Sequence, residues 1–495
     1  MSAPEIHHAT ETPLRDSLRP NSEDDTSIAE PTLQLADTDM DNIKKPRVLI
    51  VGAGIGGLLL GNLLQKGGIP YEMFEKSTEV KPLGSAMSMG SSIFSFFKQL
   101  DLYEEFLAIS KPTDRLLIYS EHLDLRYVMD FGGREKVGGS PDSIVARPDL
   151  YDLLLRQIPK ENIHMGKKVI STLQNEHGVV IRCSDDSTYE GDILVGADGA
   201  YSAVRQHLYA QLKKEKRLPS SDDVPMPFSC VCLVGQTEVL DPEEFPDLKL
   251  PLSRATALSG GGDAYKWTTY VTAQNSICWT VVNFLDIHSA KDTAAFRSSE
   301  WGSEAAEAMC KQVRDFKVPI EHGGGNSMTI GDLIDRTPKE RISKVMLEEK
   351  LNPSGGAGAL TAMHDAVALA NWICALEPRC LKELAVVFKE YQAERYPVAK
   401  ELFSFSQFFG KMGGKSLTGK LIVAATLYMP KWLWSLIIGK AVASRPQASF
   451  LPLVKDTGRV KPKYQPSLHK TLEIFKKKAS QTEGKDAVRN PIAAA

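Results

Sequence analysis

The chain has 495 residues, of which 42% are hydrophobic and 24% charged, and its formal net charge is −3 at pH 7. That length supports two or three domains with buried cores, and the slightly negative charge, without any Lys/Arg-rich run carrying aromatic residues, argues against a nucleic-acid-binding surface. The seven cysteines are scattered, and the one close pair, Cys230 and Cys232, lacks a second pair of ligands. This pattern argues against a zinc site and favours reduced thiols inside a cell.

The first 44 residues differ in composition from the rest of the chain. They are acidic, rich in Pro, Ser and Thr and poor in aromatic residues, which predicts a disordered leader. Residues 1–14 have no apolar core of the kind a signal peptide needs. We therefore expect the folded part to begin near Lys45 and the protein to be intracellular, either cytoplasmic or associated with an intracellular membrane.

The first motif of the folded part is a strand that runs into a glycine-rich turn. Residues 48–51 predict a buried strand, and Gly52, Gly54 and Gly57 follow at the G-x-G-x-x-G spacing before a helical pattern over 58–65. Gly52 permits a tight turn, Gly54 lets the backbone approach a pyrophosphate, and Gly57 lets the helix pack against the strand. Free N–H groups at the start of the helix favour phosphate charge, so the stretch predicts a dinucleotide site.

Three more features follow in order along the chain. A second predicted strand, 71–74, ends at Glu75, which is placed to bind ribose hydroxyls of the same dinucleotide. Arg147 stands directly before a predicted helix, where an arginine is as often a surface cap as a ligand-binding residue. A predicted apolar strand over 192–197 stops abruptly at Asp198-Gly199.

From about residue 226 the helical crossovers stop. The segments 230–240, 267–272 and 277–284 predict strands of an antiparallel sheet inserted as a separate layer. Trp267 and Tyr270 on this sheet are either part of a substrate wall or ordinary core residues.

The chain then predicts a return to the first layer. Residues 345–347 predict a short strand of that layer, and a Gly-rich turn over 352–358 leads into a long helix of small residues, 359–372. The start of that helix is a second helix N-terminus that favours an anion. His364, in the middle of the helix, is either a packing or surface residue or a catalyst.

The C-terminal region contains two apolar blocks, 421–429 and 432–438, which Pro430-Lys431 separates. Neither block has the 18 to 20 residues, roughly, that a bilayer span needs. Paired tryptophans and flanking Lys and Arg residues, Arg445 among them, favour an interfacial membrane contact over 416–445. A helical pair packed on the core is the alternative.

Taken in this order, the glycine turn with Glu75, Arg147, Asp198-Gly199 and the Pro353 turn resemble the FAD-dependent group A (p-hydroxybenzoate-hydroxylase-like) monooxygenases, and more closely those of fungal secondary metabolism. The resemblance covers about residues 46–405. It implies an α/β fold, with a Rossmann-like FAD-binding domain, an inserted antiparallel β-sheet substrate domain and a helical C-terminal region. The domains expected are the leader (1–44), the FAD-binding domain in two parts (45–225 and 326–408), the substrate domain (226–325) and the C-terminal region (409–495).

The resemblance also implies which residues contact the cofactor. The three glycines would hold the FAD pyrophosphate, Glu75 the adenosine ribose, and Arg147 the flavin side. Asp198-Gly199 matches a motif linked to both FAD and NADPH use, and the turn from Pro353 to Ala359 would face the isoalloxazine ring. The full expected set is Gly52, Ala53, Gly54, Gly57, Glu75, Lys76, Ser88, Met89, Arg147, Asp198, Gly199, Pro353, Gly356, Gly358 and Ala359. No catalytic side chain and no metal ligand is assigned.

The segment before Pro353 departs from the family pattern. Leu347 runs directly into Glu348-Glu349, where the family has a Gly-Asp pair whose carboxylate binds the ribityl chain. Four explanations remain open: replacement of that carboxylate by Glu348 or Glu349, a mis-spliced gene model, a weakened flavin site, or a flavin-free pseudo-enzyme.

The activity that the resemblance implies is the NADPH- and O2-dependent hydroxylation or epoxidation of a lipophilic aromatic or terpenoid secondary metabolite through a flavin C4a-hydroperoxide. Because the chain has one dinucleotide fingerprint, NADPH is expected to dock transiently. The alternatives are a flavin-dependent reductase or dehydrogenase of the same fold and the flavin-free protein. The expected partners are thus the substrate, O2 and NAD(P)H, with a membrane contact over 416–445 and no nucleic acid.

Overall fold

The computed structural model describes residues 45–80, 83–175, 178–223, 230–260, 264–285, 306–322, 326–347, 357–378, 380–411 and 429–489. The predicted leader, the first apolar block up to residue 428, and Pro353 and Gly356 lie outside these residues.

The strands in chain order are β1 (Val48–Val51), β2 (Tyr71–Phe74), β3 (Ala86–Met89), β4 (Ser110–Thr113), β5 (Arg115–Ser120), β6 (Leu125–Asp130), β7 (Asp142–Ala146), β8 (Ile163–His164), β9 (Val169–Asn175), β10 (Gly178–Cys183), β11 (Thr188–Gly191), β12 (Ile193–Gly196), β13 (Cys230–Gln236), β14 (Ala255–Gly260), β15 (Tyr265–Val271), β16 (Ile277–Phe284), β17 (Lys317–His322), β18 (Asn326–Thr329) and β19 (Ser343–Leu347). The helices are α1 (Ile55–Lys66), α2 (Ser91–Gln99), α3 (Tyr103–Ile109), α4 (Arg134–Gly138), α5 (Arg147–Leu155), α6 (Ala203–Lys214), α7 (Glu307–Val313), α8 (Ile330–Asp335), α9 (Ala357–Leu376), α10 (Leu381–Lys411), α11 (Lys431–Ala443) and α12 (Pro466–Arg489).

A four-stranded parallel sheet carries the glycine turn. Its order is β12-β1-β2-β8, and Val48 of β1 lies opposite Ile193 of β12 and Tyr71 of β2. Every residue of β1 is buried, as expected of a parallel strand that is covered on both faces. Helix α1 packs against α9, and both contribute to the main hydrophobic core. The predicted Rossmann-like layer is therefore confirmed.

A seven-stranded sheet forms the second layer, in the order β19-β13-β16-β15-β14-β5-β6. Its neighbours are antiparallel except for the β14–β5 pair, so the predicted antiparallel sheet is confirmed. One face packs on α7 and α8 and buries Trp267 and Trp279. The sheet extends beyond the range 226–325, because β5, β6 and β19 come from either side of it.

The predicted return of residues 345–347 to the parallel sheet is wrong. They belong to β19, which pairs antiparallel with β13 and places Val345 opposite Cys232. Ser343 and Val345 are buried there. The predicted segment, Val-Met-Leu, is a short apolar run. Such a run fits an edge of either sheet, and its sequence does not specify which one. Among the described residues β12 is thus an outer strand of the parallel sheet, and nine residues, 348–356, connect β19 to α9.

Residues 444–465, which we call the C-terminal strap, run from α11 back to the main core. Gln99 of α2 donates to the Ala448 carbonyl at 2.9 Å and accepts from its N–H at 2.8 Å. Asn371 of α9 accepts from the Ser449 N–H at 2.7 Å and donates to the Gln447 carbonyl at 2.9 Å. These buried bonds fix the strap against two helices of the core.

Helix α9 contains the one window, among the described residues, that is long and apolar enough to cross a membrane. That window, Gly358–Leu376, is 67% buried inside the protein. Val367, Ala370 and Ile373 are fully buried in the main core, so α9 is the central core helix of this layer.

Replacing Asn371 by leucine is expected to lower the free energy of unfolding by about 3 kcal/mol. The substitution leaves the buried Ser449 N–H and the Gln447 carbonyl without partners, and Asn371 itself is fully buried. Urea unfolding at pH 7 measures the change. Ser480→Ala, which alters an exposed side chain of α12, is the control and should leave the midpoint unchanged; an equal midpoint for Asn371→Leu would contradict the prediction.

Candidate functional site

The glycine turn lies where three parallel strands end side by side. Gly52 follows β1 with φ +102°, a conformation that favours glycine, and a Cβ there would lie 2.5 Å from the Ala197 carbonyl oxygen after β12. A Cβ on Gly57 would overlap the carbonyl oxygen of Gly52. Both glycines are therefore required by the backbone itself, as the sequence pattern predicts.

Gly54 differs from these two glycines. Its φ of −73° and ψ of 177° suit any residue, and the one neighbour within 4 Å of a Cβ there would be the Ala197 carbonyl oxygen, at 3.9 Å. Gly54 is the N-cap of α1, which has neither a side-chain cap nor an acidic residue in its first turn. The start of α1 thus offers unpaired N–H groups and open space to an anion.

Glu75 closes one side of this turn. Its Oε2 accepts from the Ala53 N–H at 3.0 Å, and its Oε1 accepts from the Ser77 N–H at 2.9 Å. The carboxylate is held in one orientation at the end of β2, beside the glycines. Lys76 is exposed next to it.

Asp198 and Gly199 close the other side, after β12. Asp198 Oδ2 accepts from the N–H groups of Ala203 (2.6 Å) and Val204 (3.2 Å), and thereby caps α6. Its Oδ1 is buried and has no hydrogen-bond partner, although buried acceptors are normally paired. Gly199 has φ +77°, and a Cβ there would meet nothing within 4 Å.

Arg147 is the first residue of α5. Its Nη1 donates to the Leu83 carbonyl at 2.9 Å, and its stem fills the space beside Gly84, where a Cβ would lie 2.6 Å from Arg147 Cδ. Burial lowers the pKa of the guanidinium, so an anionic partner would be favourable there. The neighbouring strand β3 carries the exposed Ser88, whereas the Met89 side chain belongs to the main core.

Tyr151 of α5 was not expected, and the charges of two predicted residues act on it. Burial, and next the Glu75 carboxylate, raise the pKa of its phenol, while Arg147 lowers it. Tyr151 is therefore within electrostatic range of both Glu75 and Arg147. The i,i+4 spacing from Arg147 on one helix is a signal that could have found it.

The start of α9 completes the arrangement. A Cβ on Gly56 of α1 would lie 3.0 Å from Ala362 Cβ, so the first turn of α1 touches the second turn of α9. Gly358 is exposed and Ala359 is half-buried at this end of α9. Further along, His364 is buried and its Nε2 bonds the Ser92 carbonyl at 3.0 Å, which supports packing rather than catalysis.

These residues fit the ADP half of FAD. The uncapped α1 N-terminus with the space at Gly54 suits a pyrophosphate, and the fixed Glu75 carboxylate suits ribose hydroxyls. The unpartnered Asp198 Oδ1 adds an acceptor at the same sheet edge. Of the expected contacts, the described residues bring Gly52, Ala53, Gly54, Gly57, Glu75 and Asp198 together. Arg147 lies at the start of α5, against Leu83 and Gly84.

Comparison with known proteins gives consistent results. Residues 45–233 match the family model of an FAD binding domain. The FAD-dependent monooxygenase ausM of Penicillium brasilianum is 24% identical over 451 residues, which cover 86% of this chain and 91% of that protein. Aurachin C monooxygenase/isomerase of Stigmatella aurantiaca is 26% identical over 376 residues, covering 74% and 89%.

Among solved structures, Klebsiella pneumoniae HpxO complexed with FAD and uric acid superimposes with a TM-score of 0.60 at 17% identity. The match covers 81% of this chain and 97% of that one. At such identity the likeness shows the fold. Together these results confirm the resemblance to FAD-dependent monooxygenases of secondary metabolism and the expected fold class.

Proposed function

We propose that this chain, an FAD-dependent oxidoreductase related to those monooxygenases, uses NADPH and O2 to hydroxylate or epoxidise a lipophilic aromatic or terpenoid substrate. One oxygen atom of O2 enters the substrate and the other leaves as water, with NADPH and a proton supplying two electrons and two protons. The observation that carries the proposal is the open, uncapped α1 N-terminus at Gly54, flanked by Glu75 and Asp198 at one sheet edge.

The residues have separate tasks in this proposal. The α1 N-terminus would hold the pyrophosphate, Glu75 the adenosine ribose, and Arg147 an anionic part of the cofactor on its flavin side. FAD, when bound, supplies the redox chemistry and the activation of O2. The protein orients the two substrates and keeps water from the reacting atoms.

The side chains on one face of the seven-stranded sheet favour the proposal that the substrate is lipophilic. Opposite the helix-covered face, Tyr270 lies beside Cys278 and Thr268 beside Thr280. These four side chains carry no charge, and the next residue on the same face, Lys266, covers the Phe284 ring. Burial and the Asp149 carboxylate raise the pKa of the Cys278 thiol. Asp149 is in the first turn of α5, so this face is within electrostatic range of the helix that begins at Arg147.

We also propose an intracellular location, cytoplasmic or at an intracellular membrane, with membrane contact through residues 416–445. Within the described part of that range, Leu436 of α11 is 58% exposed, while Ile438 is buried. Leu436 therefore faces outward, while Ile438 anchors the helix in the protein.

A second candidate is the flavin-free protein. It is favoured by the nine residues that join β19 to α9 without a Gly-Asp pair.

A reductase or dehydrogenase of the same fold is distinguished by its chemistry rather than by the site, because it does not transfer oxygen from O2 to its product.

The spectrum of the purified protein and its turnover separate these functions. We expect bound FAD in a 1:1 ratio, NADPH oxidation that rises when a lipophilic substrate is added, and label from ¹⁸O2 in the product. Protein without flavin, which also fails to take up added FAD, would leave the flavin-free candidate. Flavin-dependent turnover without ¹⁸O incorporation would leave the reductase.

A further inference from the structure

Five cations cluster around the C-terminal strap and the end of α11. Lys440, Lys455, Arg459, Lys461 and Lys463 are all exposed, and none of them forms an ion pair with another described residue. We call these five residues the basic surface. They stand out in a chain whose formal net charge is −3.

Backbone contacts bring the strap alongside α11. The Lys463 N–H donates to the Ala443 carbonyl at 2.8 Å. A Cβ on Gly439 would lie 3.5 Å from Val460. The cations at 459–463 therefore lie beside the end of α11 that carries Lys440.

The strap has one acidic residue, Asp456, and its charge is paired with a buried arginine. Asp456 pairs with Arg445 at 3.0 Å, and the Arg445 side chain is 2% exposed. Arg445 also donates to the carbonyls of Val442 and Val460. The sequence had suggested Arg445 as a flanking surface cation; the structure places it inside, where it neutralises the strap's carboxylate.

Apolar side chains are exposed next to the cations. Leu436 on α11 and Leu453 and Tyr464 on or beside the strap are 58%, 52% and 61% exposed. Exposed leucine and tyrosine interleaved with cations suit the boundary between lipid headgroups and acyl chains. A nucleic acid would not need the exposed leucines, whereas a lipid bilayer takes them up together with the cations.

We propose that the basic surface docks the protein on an anionic lipid membrane, with Leu436, Leu453 and Tyr464 entering the headgroup layer. The inference rests on the proposed membrane contact and names its partner and its residues. Cations near an anionic bilayer each strengthen binding, and added salt screens the effect. The strap, which hydrogen-bonds α2 and α9, would hold the docked surface rigidly to the core.

Sedimentation with sucrose-loaded vesicles tests the proposal on the full chain. We expect binding to vesicles of phosphatidylcholine with 30% phosphatidylserine at about 0.1 M salt, and release at about 1 M salt. The triple variant Arg459→Glu, Lys461→Glu, Lys463→Glu should bind about 100-fold more weakly. The triple variant Lys160→Glu, Arg182→Glu, Lys382→Glu makes the same change in net charge at exposed positions elsewhere and should bind like the parent.

Other results would overturn the proposal. They are equal binding to pure phosphatidylcholine, equal losses in the two triple variants, or displacement from the vesicles by transfer RNA at lower concentration than by soluble phosphatidylserine headgroup. Leu436→Ser with Tyr464→Ser should weaken vesicle binding, and unchanged binding would contradict docking at the headgroup layer. Flavin content and NADPH oxidation, measured without vesicles, test the proposed enzyme function independently.

Discussion

Replacing Gly54 by valine is expected to abolish FAD binding while leaving the fold intact. The extended backbone of Gly54 accepts any residue, and a Cβ there has no protein neighbour closer than 3.9 Å. The added side chain instead fills the space above the α1 N-terminus, where the pyrophosphate would lie. We expect the Kd for FAD to rise on the order of 100-fold or more, equivalent to about 3 kcal/mol, as measured by titrating the apoprotein with FAD.

Gly57→Val provides the contrast, because its Cβ would overlap the carbonyl oxygen of Gly52 and should damage the fold itself. Gly439→Ala is the control, because Gly439 is far along the chain from the glycine turn. Its Cβ would lie 3.5 Å from Val460, an ordinary contact distance, so neither the melting temperature nor FAD uptake should change. Stoichiometric FAD in the Gly54→Val protein would show that the site has been assigned wrongly. A Gly54→Val protein as unstable as Gly57→Val would show that Gly54 serves the backbone.

The buried His364 is expected to make the protein sensitive to acid. Burial, reinforced by Arg395 and only partly opposed by the Ser92 carbonyl, lowers its pKa to about 3. In the unfolded chain the histidine takes up a proton near pH 6.5, whereas in the folded protein it stays neutral until about pH 3. Its contribution to the free energy of unfolding is therefore complete above pH 6.5 and is lost as the pH falls toward 3. Each pH unit within that window lowers the free energy of unfolding by about 1.4 kcal/mol, so the loss between pH 6.5 and pH 4 is about 3 kcal/mol.

Urea unfolding of the parent and of His364→Gln at pH 7 and pH 4 measures this contribution. Glutamine cannot take up a proton in this range, so the loss of stability between the two pH values should be about 3 kcal/mol smaller in the variant. His469→Gln changes an exposed histidine and should lose stability in parallel with the parent. A parallel loss in His364→Gln would mean that His364 is not what couples folding to pH.

Local features of this fold were predictable and distant pairings were not. The strand–glycine–helix pattern from Val48 to Leu58 is local in the chain, and the carbonyl oxygen of Gly52 in the same turn constrains Gly57. The fixed spacing of the motif also identified Gly52, although its neighbour in the structure, Ala197, is distant in the chain. Glu75 was found because its distance along the chain is fixed by the βαβ unit. These parts of the site could be predicted without knowing the rest of the structure.

The errors and omissions have a common physical cause. β19 was assigned to the wrong sheet because a short apolar run identifies a strand but not its partner. The strap was not predicted because its bonds join residues far apart in the chain: Gln99 and Ala448 are separated by 349 positions, and Asn371 and Ser449 by 78. Polar residues such as these look like ordinary surface residues until the pairing is known.

The way Glu75 is held has a consequence for how the cofactor would bind. Both carboxylate oxygens already accept backbone N–H groups, and Gly54 is already extended. The site is therefore preorganised, and little conformational entropy would be lost on association. Such a site predicts reversible exchange: FAD stripped by mild treatment should return quickly, with a small heat-capacity change and no separate folding step. If the affinity for FAD is low, the cause would therefore be missing contacts to the flavin end of the cofactor, where the Gly-Asp pair is absent, and not disorder of the residues that bind the adenosine end.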